Sequence, residues 1–325
     1  MRMEKMERSD GPGLTMLDDA TVTRRFVEIQ GRRVSYLTTG DPATAPTILL
    51  LHGSGVSARY WVNQLRGLER ALRVVALDLP GHGQSEPVPH PGIAAYGEVA
   101  ARLLDALGTG PVIAAGHSLG GAVAIELAAR QPDAVRGLVL LSSCAKLPPG
   151  DGLSERFLAY LPGPLRKLVF FSMAQKLLFA PGAPAGAVSL GMHELRTCRA
   201  ETVVNDVRAA KAMDLTEQAT HLKVPTLILC GSRDRLTPPA LATRLSELIP
   251  RSSLRIIEEA GHMLLLEVPQ RVNQEILTFV GSIVPLADVP SFAVEIRRWR
   301  SRARRLLDWV SGLARGLIGS RLEGL

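Results

Sequence analysis

The stretch Pro111-Val112-Ile113-Ala114-Ala115-Gly116-His117-Ser118-Leu119-Gly120-Gly121 joins two contrasting patterns. Residues 112–115 form an unbroken apolar run, which is typical of a buried parallel strand. Residues 119–130 are rich in Ala and Leu, which predicts a helix. Ser118 stands between them in a Gly-x-Ser-x-Gly pattern, which allows a sharp turn that exposes the serine oxygen beside a helix N-terminus. We therefore predict that Ser118 is a nucleophile.

Strand and helix patterns alternate on both sides of this turn, which predicts an α/β fold with a mostly parallel eight-stranded sheet flanked by helices. The first two strands are separated by Gln30-Gly31-Arg32, so we expect the sheet to begin as an antiparallel hairpin. The predicted strands are 25–29, 33–37, 47–51, 74–77, 112–115, 135–141, 226–230 and 254–257. The predicted helices are roughly 60–70, 96–107, 119–130, 240–248 and 270–283.

The alternation stops at 146–222, a segment that is too long for a loop and too apolar for a linker. It contains Phe157, Phe170, Phe171 and Phe179, four of the seven phenylalanines, and Pro-Gly clusters divide it. We interpret it as a helical cap inserted between the two parts of the core, 22–145 and 223–285. Phe157, Phe170 and Phe171, together with Met263, are our candidates for binding a hydrophobic substrate.

A serine hydroxyl needs a base to act as a nucleophile. His262, in Gly261-His262-Met263, follows the last predicted strand, at the same sheet edge as Ser118. We therefore predict that His262 is the general base. His82 and His117 lie inside turn motifs, and we interpret both as structural.

The base in turn needs a carboxylate that fixes its tautomer. Asp234 follows the strand 226–230, one strand before the histidine loop. The other suitable place is the end of the strand 135–141, which continues as Ser142-Ser143-Cys144-Ala145 without an acid. Asp234 is therefore the predicted carboxylate; the alternative is that it only caps the turn near Pro238.

A second glycine-rich turn, His52-Gly53-Ser54-Gly55, also follows a strand. Such a loop can direct a backbone N–H at a developing oxyanion, and the Leu119 N–H is the predicted second donor.

The order Ser118, Asp234, His262, interleaved with the strands of one sheet, resembles the α/β-hydrolase superfamily. The matching motifs are His52–Gly55, Asp78-Leu79-Pro80-Gly81-His82-Gly83-Gln84-Ser85, Gly116–Gly121, Gly231–Asp234 and Gly261-His262. The resemblance covers about Val22 to Val284, some four-fifths of the chain. The resemblance implies that the Ser54 N–H is the other oxyanion donor. It also implies that epoxide hydrolysis and dehalogenation are excluded, because such members have an aspartate where Ser118 stands.

The expected activity is therefore that of a serine hydrolase that cleaves a hydrophobic carboxylic ester, without metal or cofactor. Carbon–carbon hydrolysis of diketone-type substrates is the first alternative, and acyl transfer also stays open. A small-molecule receptor or scaffold on the same fold is an alternative of another class.

Composition bears on the location of the protein. The three cysteines show neither metal-ligand spacing nor a Cys-x-x-Cys pair, and residues 1–13 lack an apolar signal segment. We expect a cytoplasmic protein with a flexible N-terminal segment, residues 1–21. The sequence does not indicate which oligomeric state the protein adopts.

The net charge of +7 is concentrated in the tail, residues 286–325, where eight arginines and four acidic residues leave a charge of +4. Apolar residues recur there at steps of four and three: Phe292, Ile296, Trp299, Ala303, Leu306, Val310, Leu313 and Leu317. This spacing predicts an amphipathic helix that contacts an anionic membrane through residues 290–318. Packing on the protein itself and a short coiled coil are the alternatives. Nucleic acid is not an expected partner, because binding to a phosphate backbone would leave the apolar face of this helix in water.

Overall fold

The structure, a computed structural model, describes residues 21–40, 45–148 and 163–284. In these residues, eight strands form one sheet in the order β1-β2-β4-β3-β5-β6-β7-β8. The strands are β1 Thr23–Ile29, β2 Arg32–Thr39, β3 Thr47–Leu51, β4 Arg73–Leu77, β5 Val112–His117, β6 Val135–Leu141, β7 Thr226–Gly231 and β8 Ser252–Ile257.

The sheet confirms the predicted fold class. β1 and β2 form the antiparallel hairpin, β2 also pairs antiparallel with β4, and the strands from β4 to β8 are parallel. Because parallel strands point the same way, the loops that follow β3, β5, β7 and β8 meet at one edge of the sheet.

Helices cover both faces of this sheet. The described α-helices are α1 Val62–Leu68, α2 Ile93–Leu107, α3 Leu119–Arg130, α4 Gly163–Leu178, α5 Ala185–Thr197, α6 Ala200–Ala212, α7 Thr216–His221, α8 Pro239–Leu248, α9 Leu264–Glu267 and α10 Pro269–Ile283. Successive residues of β6 show the two layers: Leu138 belongs to the core cluster with α2 and α3, while Gly137 faces Phe279 and Ile283 of α10.

Helices α4, α5 and α6, which we call the cap helices, lie between β6 and β7 in the chain. Asp206 of α6 is fully buried; it accepts a hydrogen bond from the Tyr96 hydroxyl (3.1 Å) and lies 2.8 Å from Nε2 of His82. Ser57 donates to the buried carboxylate of Glu194 in α5 at 2.6 Å. Charged and polar side chains therefore anchor these helices on the core. By contrast, α7 packs into the hydrophobic core. Leu215, which directly precedes this helix, and Ala219 within it both belong to the buried hydrophobic cluster of the core.

Several predictions fall outside the described residues, namely the N-terminal segment, Phe157 and the membrane-contact segment 290–318. Among residues 21–40, 45–148 and 163–284, no helix combines the length and hydropathy needed to span a bilayer.

Candidate active site

Ser118 occupies the tight turn between β5 and α3. Its backbone has φ 52° and ψ −119°, in the left-handed region that non-glycine residues rarely adopt. A side chain at Gly116 would collide with the Gly120 carbonyl, and one at Gly120 would collide with the carbonyl of Leu51. The glycines therefore let strand and helix approach closely enough for this turn to form.

The surrounding backbone holds the strained residue in place. The Ser118 N–H donates to the Leu141 carbonyl, and the Ser118 carbonyl accepts from the Ser143 hydroxyl, both at 2.9 Å. Leu119 is the first residue of α3, where backbone N–H groups have no acceptor within the helix. Its N–H is thus suited to bind an anion beside the half-buried Ser118.

The structure brings Asp234 and His262 into contact. Nδ1 of His262 lies 2.9 Å from Oδ2 and 3.2 Å from Oδ1 of Asp234, and both residues are buried. Asp234 follows β7 and His262 follows β8, and the two loops are joined where the Arg233 N–H donates to the Ala260 carbonyl at 2.9 Å. A carboxylate at this distance from Nδ1 keeps the proton on that nitrogen and leaves Nε2 able to accept one.

The surroundings of Asp234 favour its ionised form. Burial raises the pKa of this carboxyl, but the adjacent His262 and the hydrogen bonds that it receives bring the pKa below its ordinary value of 3.8. The backbone N–H groups of Leu236 and Thr237 both donate to Oδ1, at 2.9 and 2.8 Å. Asp234 thus carries the negative charge needed to stabilise an imidazolium.

Sequence reasoning missed Thr237, a third side chain at this pair. Its buried hydroxyl lies 2.9 Å from Asp234 Oδ2, 3.1 Å from His262 Nδ1 and 3.0 Å from the Ser142 carbonyl oxygen. The available signal was the turn that begins at Asp234, because an Asp side chain can bond to the backbone just after it and so brings the following residues beside its carboxylate.

The glycine-rich loop after β3 lies directly against the serine turn. A Cβ atom at Gly53 would be 3.3 Å from Cβ of Ser118. The His52 ring fixes this loop, since its Nδ1 donates to the Gly53 carbonyl at 2.8 Å and its Nε2 accepts from the Leu79 N–H at 3.0 Å. Burial, with a contribution from nearby His82, lowers the pKa of His52 to about 4, which is consistent with this neutral tautomer. Ser54 follows on the loop and is half-buried.

The candidate substrate-binding residues lie in different surroundings. Met263 is buried next to the site, with its sulfur 3.1 Å from the Tyr60 hydroxyl. Phe170 and Phe171 pack edge to face on α4; Phe170 is 38% exposed, and the Arg196 guanidinium lies over the Phe171 ring. The two phenylalanines therefore lie together on α4, one exposed and one half-buried, while Met263 is buried and directly follows His262.

Glu267 is a second residue that the sequence did not single out. Its buried Oε2 accepts from the N–H groups of Gly261 and Ala180, both at 3.1 Å. It therefore joins the loop of His262 to the chain just after α4. Burial raises the pKa of this carboxyl above its ordinary value of 4.5, although the backbone donors oppose the shift.

Comparison with known proteins identifies the family of this chain. The profile of the Alpha/beta hydrolase family matches residues 48–275. The chain is 31% identical over 230 residues to a pimeloyl-[acyl-carrier protein] methyl ester esterase of Neisseria meningitidis. This alignment covers 68% of this chain and 87% of that protein.

Two further similarities extend the comparison. The chain is 31% identical to the dihydrolipoyllysine-residue acetyltransferase component of the acetoin cleaving system of Pseudomonas putida, over 78% of this chain and 68% of that protein. It is also similar in structure to a thermophilic esterase from Thermogutta terrifontis, with a TM-score of 0.70, 25% identity, and coverage of 80% of this chain and 99% of that one. This protein belongs to the alpha/beta hydrolase family.

Proposed function

We propose that this protein is a serine hydrolase that cleaves a hydrophobic carboxylic ester through an acyl-enzyme formed on Ser118. One observation carries the proposal. The His262–Asp234 pair, with a 2.9 Å contact between Nδ1 and Oδ2, shares a sheet edge with a serine held in the left-handed backbone conformation of a strand-to-helix turn. The esterases among the relatives of this chain support the choice of an ester bond.

In the first half of the reaction, Ser118 Oγ attacks the ester carbonyl carbon while Nε2 of His262 takes the hydroxyl proton. The ionised Asp234 stabilises the imidazolium through Nδ1. The N–H groups of Ser54 and Leu119 bind the oxyanion of the tetrahedral intermediate. As this intermediate collapses, the C–O bond breaks, and His262 returns its proton to the leaving alkoxide, which departs as an alcohol.

The second half repeats these steps with water. His262 removes a proton from a water molecule, whose oxygen attacks the acyl carbon, and the same two N–H groups stabilise the oxyanion. The bond between the acyl carbon and Ser118 Oγ then breaks, the proton passes from His262 to Oγ, and a carboxylic acid leaves. The side chains and backbone amides named here account for each proton and each charge.

Carbon–carbon hydrolysis is the second candidate, because His52-Gly53-Ser54-Gly55 resembles the corresponding loop of some carbon–carbon hydrolases. Acyl transfer would use the same acyl-enzyme, with another nucleophile in place of water. A panel of p-nitrophenyl esters, a vinylogous diketone and an added alcohol acceptor separates the three reactions. We expect the highest kcat/KM on the esters.

The decisive experiment is labelling with a fluorophosphonate probe, followed by peptide mapping, alongside turnover of p-nitrophenyl esters. We expect the probe to modify Ser118, and we expect Ser118→Ala to abolish both labelling and turnover. His262→Ala and Asp234→Asn should also lose orders of magnitude in kcat, with Asp234→Asn the milder loss.

Ser282→Ala is the matched control, since Ser282 is an exposed serine near the end of α10 whose hydroxyl donates to the Phe279 carbonyl, outside the candidate site. It should keep its labelling by the probe. Full turnover by Ser118→Ala would refute the mechanism. A wild-type protein with neither labelling nor turnover would favour the receptor alternative instead.

A further inference from the structure

His117, the residue immediately before Ser118, is buried and contacts the histidine loop. Its Nε2 lies 2.9 Å from the carbonyl oxygen of His262, and the two rings are 4.8 Å apart between centroids. Its Nδ1 lies 3.2 Å from the hydroxyl oxygen of Tyr60, a fully buried residue. Both ring nitrogens of His117 are thus used inside the protein.

The protonation of this ring follows from its partners. Burial, together with the proximity of His262, lowers the pKa of His117 to about 3, so the ring is neutral and carries one proton. The His262 carbonyl can only accept a hydrogen bond, which puts the proton on Nε2. Nδ1 therefore accepts from the Tyr60 hydroxyl, because a ring nitrogen is a much stronger acceptor than the Met263 sulfur on the other side of that hydroxyl.

The glycine-rich loop meets the same ring. A Cβ atom at Gly53 would lie 2.8 Å from Nδ1 of His117, so the backbone of that loop rests against the imidazole. One side chain therefore touches the loop that precedes Ser54 and the loop that carries His262, while its own backbone continues into Ser118. The residues that it joins are far apart in the chain, with His262 145 positions after His117.

We propose that His117, oriented by Tyr60, is a positioning residue that holds His262 and the Gly53 loop in register with Ser118. This inference rests on the proposed function, since it assigns His117 a task in that mechanism. The ring transfers no proton to substrate; it fixes the main chain of the base through Nε2–H. A misplacement of about 1 Å between reacting groups can cost on the order of 100-fold in rate, so such an anchor acts on kcat more than on substrate affinity.

Three substitutions test the anchor. His117→Leu removes both hydrogen bonds, whereas His117→Gln retains an amide N–H that can reach the His262 carbonyl. Tyr60→Phe removes only the phenol that fixes the ring. We expect His117→Leu to lower kcat about 100-fold and Tyr60→Phe about 10-fold, each with KM within about twofold. His117→Gln should recover much of the lost kcat.

A second readout isolates the chemical step. The rate at which a fluorophosphonate modifies Ser118 depends on the base and the nucleophile but not on ester binding. We expect it to fall in parallel with kcat in all three variants. The matched control is Tyr36→Phe, which removes another buried phenol, on β2 and outside the candidate site. This control should keep kcat within about twofold of wild type.

The inference is wrong if folded His117→Leu keeps the wild-type kcat, or if His117→Gln is no better than His117→Leu. It is also wrong if Tyr60→Phe behaves like Tyr36→Phe. If His117→Leu does not fold, His117→Gln and Tyr60→Phe decide the matter. Failure of the proposed function is distinct, since it appears as an active Ser118→Ala variant or an unlabelled wild-type protein.

Discussion

The hydroxyl oxygen of Thr237 lies 3.1 Å from Nδ1 of His262, next to the Asp234 oxygen that the same nitrogen contacts. The hydroxyl can donate to Asp234 Oδ2 or to the Ser142 carbonyl while its oxygen faces the His262 N–H. Thr237 therefore helps to fix the orientation of both partners.

Thr237→Val should lower kcat/KM about 10-fold, because it removes this hydroxyl at nearly constant volume and leaves polar neighbours with one partner fewer. Thr237→Ser keeps the hydroxyl and should stay within about threefold of wild type. Steady-state kinetics on one p-nitrophenyl ester measure both variants. Equal activity in the valine and serine variants would mean that the hydroxyl has no part in positioning.

Glu267 should make stability depend on pH. The pKa of Glu267 is raised in the folded protein. The contribution of its protonated carboxyl to the free energy of unfolding is therefore complete below the ordinary pKa of 4.5, and it is lost as the pH rises through the folded pKa. Glu267→Gln removes this ionisation. The free energy of unfolding of the variant, relative to wild type, should therefore increase from about pH 4 to about pH 8.

Urea unfolding across that pH range measures the difference between the two proteins. Glu258→Gln is the matched control, because Glu258 is an exposed glutamate that lies shortly before the same loop. The control should follow wild type at every pH. A Glu267→Gln difference that is constant or decreases with pH would contradict the assignment.

We expect the cap to favour long acyl chains. Burial of one methylene group contributes about 0.8 kcal/mol, so each two-carbon extension should raise kcat/KM about 10-fold from acetate to octanoate. Phe170→Ala should flatten this profile, because it removes the exposed ring that we expect to contact the acyl chain. Phe26→Ala, at a phenylalanine of β1 that is 48% exposed, should leave the profile unchanged. A profile that is flat or falls in wild type would refute the preference.

The basic tail gives a separate prediction about membranes. Its arginines and its Trp299-containing apolar stripe predict sedimentation with phosphatidylglycerol vesicles at low salt and release at high salt. A variant that lacks residues 288–325 should stay in the supernatant, as should the full chain with phosphatidylcholine vesicles. Full-length protein that remains in the supernatant at low salt with the anionic vesicles would refute the prediction. A change of oligomeric state in the truncated variant would favour the coiled coil.

The sheet could be predicted because its signals are local. Apolar runs and glycine turns identify β3 and β6 to the residue, and the Gly-x-Ser-x-Gly pattern marks the beginning of α3. The pairing of Asp234 with His262 could also be predicted, since both follow neighbouring strands of a parallel sheet.

The supporting residues could not be predicted in the same way. Tyr60 lies 57 positions before His117, and no spacing rule brings them together; only the packed structure does. We interpreted His117 as structural because it sits inside a turn motif, and the sequence gives no sign that its ring reaches the His262 carbonyl. Such contacts arise because a buried polar group must find a partner wherever the fold offers one.

The buried carboxylate of Asp206 limits how this protein can be re-engineered by recombination. Its partners, His82 and Tyr96, belong to a different part of the chain from α6. A chimera that takes α4–α6 from this protein without those partners would bury a carboxyl group without its hydrogen-bond partners, at a cost of about 1–3 kcal/mol for each polar atom left unsatisfied. A chimera designed to exchange substrate preference between relatives should therefore carry His82 and Tyr96 together with the helices. Alternatively, Asp206 should be replaced with an apolar residue.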